Sequence, residues 1–189
     1  SLHGKHAKEH TPMVSLAAAS LLSTLPSRVA VKVPGWPDLP FPFSEGVLSC
    51  FCEGSGSHCE LKISGNQGVD FTAPGGPALV AGGVANETKY AMDDIQAIVH
   101  AAGATMDDIT ACEVWLRNIS DFSDMNDVYK TYWTSPYPTR VAAGGFDLAQ
   151  GAAVEIKCEG YAPCDAEPRI FAASLDISRR RTLRLKSST

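Results

Sequence analysis

The chain has 189 residues, 44% of them apolar, enough for one domain with a sizeable core and too few for two full ones. Residues 28–163 carry 8 Lys and Arg against 17 Asp and Glu, a local net charge of −9 within a total of −5. An acidic body of this kind holds phosphate backbones poorly, so nucleic acid is excluded as the main expected partner, and no apolar run is long enough to span a bilayer.

Residues 1–27 read as an N-terminal extension. Scattered His3, His6 and His10 suit a frayed end better than a metal site, while 13–33 starts at Met13, lacks acidic residues and is loosely similar to an organelle presequence. The alternation of Val29, Val31 and Val33 predicts a strand over 28–33. A Pro-rich extended loop follows at 34–46, carrying Trp36, Phe41 and Phe43, then a Gly/Ser/Cys-rich loop at 49–57 and a second strand at 58–65. Residues 66–83 form a long Gly/Pro loop.

Ala91, Ile95, Ile98, Val99 and Ala102 recur at helical spacing, with Gly103 as the stop. Strict alternation of Cys112, Val114 and Leu116 against Glu113, Trp115 and Arg117 makes 110–118 a strand. Ser120 or Asp121 can cap a second helix whose stripe is Phe122, Met125, Tyr129, Tyr132 and Trp133, a core face rather than an aromatic binding box. The prolines of "SPYP" (135–138) end it, and two strands follow near 139–143 and 152–161. Two helices and five or six strands make an α+β fold with the helices on one sheet face. Residues 28–163 are the domain, and 164–189 is a basic tail read as disordered.

The six cysteines show neither a CxxC pair nor zinc-finger spacing; Cys112 and Cys158 fall in apolar strand patterns, so reduced thiols in an intracellular compartment and no metal are expected. In the last strand Val154, Ile156 and Cys158 point one way and Glu155, Lys157 and Glu159 the other. Arg140 and Ala142 share a face of the preceding strand, and a neighbouring Glu155 on that face is expected within reach. Spacing alone favours a surface ion pair. The small residues around Arg140 leave room for a ligand, and a guanidinium grips a carboxylate through two hydrogen bonds.

The stretch "AMDDIQAIVHAAGATMDDITACEVWLRNISDFSDMNDVYKTYW", followed by "YPTRVA" and "AAVEIKCEGYA", resembles the RidA/YjgF family of reactive-intermediate deaminases over about Val29 to Pro163. That resemblance implies a chorismate-mutase-like fold and a homotrimer with a central barrel of sheets, helices outside and three sites between subunits. It implies hydrolysis of short 2-imino and 2-enamino acids, such as 2-iminobutanoate and 2-iminopropanoate, to 2-oxo acids and ammonia, without metal or organic cofactor. A cytoplasmic or mitochondrial location is expected with it. Arg140 falls on the family arginine that binds the substrate carboxylate, and Glu155 on the glutamate associated with the attacking water. Ser64 and Gly65 match the "SG" step lining the pocket, Asn126 matches an asparagine of the second helix, and backbone near Ser64 and Val141 is expected to assist.

The chain departs from the family in having Phe43 where many deaminases have Tyr, Ala142 where many have Cys, and a longer stretch between Gly46 and Ser64. A non-catalytic relative that binds a small carboxylate or a partner protein is the competing reading. A ribonuclease role, also attached to the family, finds support only in the basic tail.

Overall fold

The computed structural model describes residues 28–38, 41–51 and 58–164, so the N-terminal extension and the basic tail from residue 165 lie outside the described residues. The described residues begin with an antiparallel run: β1 (Arg28–Val31), β2 (Gly46–Phe51) and β3 (His58–Ile63). Ser49 to Phe51, expected in a loop, lie in β2, because Cys50 and Phe51 pair with Cys59 and His58. The 66–83 segment is not structureless. It holds β4 (Asn66–Gln67), β5 (Val69–Asp70) and β6 (Ala78–Leu79), the last two forming a small separate ladder.

Helix α1 (Gly83–Ala101) buries the expected stripe, with Ala91, Ile95, Ile98 and Val99 fully inaccessible. It stops where Gly103 takes a φ of 78°, a left-handed turn that favours glycine. After β7 (Ile109–Leu116), a 3-10 turn leads into α2 (Phe122–Tyr129), then β8 (Thr139–Gly144) and β9 (Val154–Ala162). Asp121 precedes α2 without a side-chain capping hydrogen bond; the preceding turn does the work of starting the helix. Met125, Tyr129 and Trp133 of the second stripe are core, whereas Phe122 stays exposed.

The main sheet runs β1-β2-β3-β9-β7-β8, with β4 also on β9. It is mixed, since β8 lies parallel to β7 and every other pairing is antiparallel. Both helices pack on one face, over a core built from Leu61, Ile63, Val114, Leu116, Val154 and Ile156 of the strands. The opposite face carries Lys62, Glu113, Val141, Glu155 and Lys157, with Val141 66% exposed.

β3 and β4 pair with successive halves of β9, and the register slips by one residue across Ser64–Gly65. That bulge bends the strand and re-aims its side chains, an effect common beside functional sites.

The cysteines correct the expectation of free thiols. Cys112 and Cys158 are direct register partners on the core face of β7 and β9, and Cys50 and Cys59 are partners across β2 and β3; each pair is bonded, at S–S distances of 1.98 and 2.06 Å. Cys164 is also disulfide-bonded. Register, invisible in linear spacing, is what opposes these sulfurs.

Candidate active site

Two depressions hold the residues singled out in the sequence, and they divide them. The larger is a cleft of about 480 Å³ whose floor is the Ser64–Gly65 bulge and the start of β9. Glu155 opens into it, pinned by Gln67, which sits directly opposite in the ladder and donates from Nε2 to Glu155 Oε2 at 2.8 Å. The other carboxylate oxygen lies against the bare Cα of Gly65. A Cβ there would overlap Glu155 Oε1 and sit 2.9 Å from its Cδ, so glycine is required if the carboxylate is to keep this position.

Ser64 supports the bend from beneath: its hydroxyl donates to Ser44 O at 2.7 Å and its backbone N–H to Glu45 O at 3.0 Å. The start of β9 is held from the helix side, where the buried Glu87 of α1 accepts the Ala153 N–H at 2.6 Å. Two stacked aromatic pairs wall the cleft, Phe41 with Phe43 at 5.7 Å between centroids and nearly parallel, and Trp36 with Phe71 at 6.2 Å and inclined by 29°.

Arg140 is elsewhere. Its pocket, about 290 Å³, is bordered by Asn126, Tyr129, Lys130, Tyr137 and Pro138. The guanidinium carbon lies 4.6 Å from the ring centroid of Tyr129 and 5.4 Å from that of Phe122, so two aromatic faces of α2 hold the cation. Burial pushes the Tyr129 phenol up to about 12, against the downward pull of Arg140, which keeps that ring neutral beside the guanidinium. Among the described residues no carboxylate lies within ion-pair distance of Arg140.

This corrects the expected proximity of Arg140 and Glu155. Their strands do not adjoin: β7 lies between β8 and β9. Arg140 is the register partner of Cys112 on the helix side, whereas Glu155 pairs with Trp115 on the open side. Alternation fixes the two faces within each strand, but the face of β8 relative to β9 depends on a parallel pairing that the sequence does not display. Phe43, Ser64, Gly65 and Glu155 therefore share one cleft, Arg140 and Asn126 share the other, and Val141 presents its side chain on the open face.

Sequence reasoning missed Gln67, Glu45 and Asp94 as cleft residues. Gln67 was hidden in a presumed loop. Asp94 looked like an ordinary polar position of an amphipathic helix, but burial, with Asp93, Glu45 and Asp70 nearby, pushes its carboxyl up to about 7.

A family model described as Endoribonuclease L-PSP matches residues 57–161. The chain is 43% identical over 97 residues to a bovine protein named 2-iminobutanoate/2-iminopropanoate deaminase, covering 51% of this chain and 69% of that one; the human protein of the same name is 38% identical over the same length and shares. Among solved structures, RidA from an Antarctic Psychrobacter matches with a TM-score of 0.56 and 27% identity, over 70% of this chain and 98% of that one. A Yersinia pestis protein of the conserved Rid family, described as of unknown function, matches with 0.59 and 26% over the same shares. With its mixed sheet, its two helices on one face and the matched motifs, the chain belongs to the Endoribonuclease L-PSP family, the RidA/YjgF family that its sequence resembles.

Proposed function

We propose that the protein hydrolyses 2-imino and 2-enamino acids to 2-oxo acids and ammonia, at sites assembled from two protomers of a homotrimer. One protomer supplies the Glu155 cleft and its neighbour the Arg140 pocket. The observation that carries this reading is the state of Arg140: a guanidinium braced by two rings, open to a pocket, with no carboxylate of its own among the described residues. Such a group is an anion site awaiting a partner. The deaminase names of the bovine and human relatives support the same chemistry.

Arg140 holds the substrate carboxylate and thereby fixes the imine carbon, with Asn126 beside it. A water between that carbon and Glu155 attacks, and Glu155 accepts the proton that the water loses. The imine reacts as its N-protonated form, so the attack gives a neutral carbinolamine; Glu155 returns its proton to the nitrogen, the C–N bond breaks as the C=O bond forms, and ammonia leaves carrying the hydroxyl proton as ammonium. Gln67 and Gly65 fix the position of Glu155 for the transfer. Phe43 walls the cleft without a hydroxyl, so no proton passes through that side chain.

Phe43 also favours the competing reading, a binder of small carboxylates that performs no chemistry. The two are separated by adding the protein to a threonine dehydratase reaction. Release of 2-oxobutanoate faster than spontaneous hydrolysis, abolished by Arg140→Ala, is expected. No acceleration, with 2-oxobutanoate still bound, establishes the binder instead.

A further inference from the structure

All five described cysteines, Cys50, Cys59, Cys112, Cys158 and Cys164, are disulfide-bonded. Disulfides form and persist in oxidising compartments and are rare in the cytosol. Cys112 and Cys158 are 2% and 1% exposed, so their bond is built into the core and is not an oxidation of surface thiols. A chain that folds around such a bond folds under oxidising conditions. In a eukaryotic cell that compartment is also where sugars are attached to asparagine.

The chain carries two acceptor motifs for that chemistry, Asn86-Glu87-Thr88 and Asn118-Ile119-Ser120. The fold treats them oppositely. Asn118, Ile119 and Ser120 are all exposed, in the turn between β7 and α2. Asn118 is extended, at φ −123° and ψ 128°; its carbonyl accepts the Asp121 N–H at 3.1 Å, and its side chain makes no capping hydrogen bond. The turn itself is fixed to the sheet. Gly145 N–H donates to Arg117 O at 3.2 Å, and Gly144 lets the Ile119 backbone pass where a Cβ would come within 2.7 Å of it. A sugar on Asn118 Nδ2 stands in solvent and leaves these contacts intact. Asn86 lies inside α1. Its Nδ2 donates to Ala81 O at 2.6 Å, beside the backbone of Gly82, and the motif's Thr88 is fully buried. A sugar on that nitrogen competes for the space between the helix and residues 81–82.

We infer that Asn118 is a site of asparagine-linked glycosylation and that Asn86 is left unmodified. The donor is an oligosaccharide carried on a lipid pyrophosphate. Asn118 Nδ2 bonds to the anomeric carbon of the first sugar as the bond from that carbon to the pyrophosphate oxygen breaks, and the amide proton leaves with the pyrophosphate. The Ser120 hydroxyl completes the acceptor motif. The modification is independent of the reaction assigned to Arg140 and Glu155.

The test isolates the native protein from its source cells and releases its glycans with peptide N-glycosidase in heavy-oxygen water, which marks each formerly glycosylated asparagine. Peptide mapping is expected to find the label at Asn118 and none at Asn86. An unlabelled Asn118 overturns the inference, and label at Asn86 overturns the choice that the fold makes between the two motifs. The full chain, directed through the secretory pathway of cultured animal cells by a cleavable leader, supplies the variants. Wild type is expected to migrate as one larger species that the glycosidase collapses. Asn118→Gln and Ser120→Ala should lose that shift completely, whereas Ser120→Thr and Asn86→Gln should keep it. Recovery of the Cys112–Cys158 cross-link in each secreted variant shows that it has folded. Folded, secreted wild type without the shift, or a shift that survives Ser120→Ala, refutes the site.

Discussion

Replacing Asp94 by Asn should stabilise the protein, and only above acid pH. The Asp94 carboxyl titrates in the folded chain at about 7 instead of its ordinary 3.8, chiefly because burial disfavours the charge and then because Asp93, Glu45 and Asp70 repel it. A group whose folded pKa is raised adds no penalty below the unfolded value. As pH climbs from about 4 to 7 the unfolded chain releases a proton that the folded chain keeps, so stability falls, and above 7 the loss is complete. The full shift corresponds to about 4 kcal/mol. Asp94 is part-exposed, so solvent screening reduces this to about 1–2 kcal/mol. Asp38 and Asp70, whose carboxyls are held low by hydrogen bonds, respond in the opposite sense but are common to both proteins and cancel in the difference. Urea unfolding of wild type and Asp94→Asn at fixed protein concentration, at pH 4.5 and pH 8, reads this directly. The variant should gain about 1–2 kcal/mol at pH 8 and close to nothing at pH 4.5. An equal difference at both pH values, or a less stable variant at pH 8, refutes the reasoning.

Gly65→Ala should leave the fold cooperative and strip most of the deaminase activity, because the added Cβ displaces the Glu155 carboxylate; activity above half of wild type would show that the position of Glu155 is not critical. Non-reducing peptide mapping should recover Cys112 cross-linked to Cys158 and Cys50 to Cys59, whereas full alkylation of all six thiols without reductant would contradict both bonds. Tyr129→Leu should raise the KM for imino acids several-fold by removing the ring face nearest Arg140, at about 0.5–2 kcal/mol for the lost cation–π contact; an unchanged KM would mean the ring does not orient the guanidinium.

The strongly patterned elements were legible in the sequence. Ala91 to Ala102 gave the first helix and Gly103 its end, and the alternation around Val114 and Val154 gave the two central strands with the right residues inward. Pairing was not legible. Nothing local says that β8 runs parallel to β7 or that β7 separates Arg140 from Glu155, because register and strand order are set by non-local contacts. The same blindness hid the disulfides and the two-residue β4, whose Gln67 holds Glu155 although its surroundings read as loop. Ser64, Gly65 and Glu155 line one cleft, and its further lining by Glu45 and Asp94 emerged only from the fold, because neither residue carries a local signal.

Arg140 and Glu155 face opposite sides of one protomer, so the most direct test of a site shared between protomers is complementation. Arg140→Ala and Glu155→Gln proteins, each inactive alone, are unfolded together, refolded as a 1:1 mixture and assayed for imine hydrolysis. A site that draws its guanidinium from one copy and its carboxylate from the next is intact wherever the two variants meet in the right order, which restores about one quarter of wild-type activity. A mixture as inactive as its components contradicts the shared site.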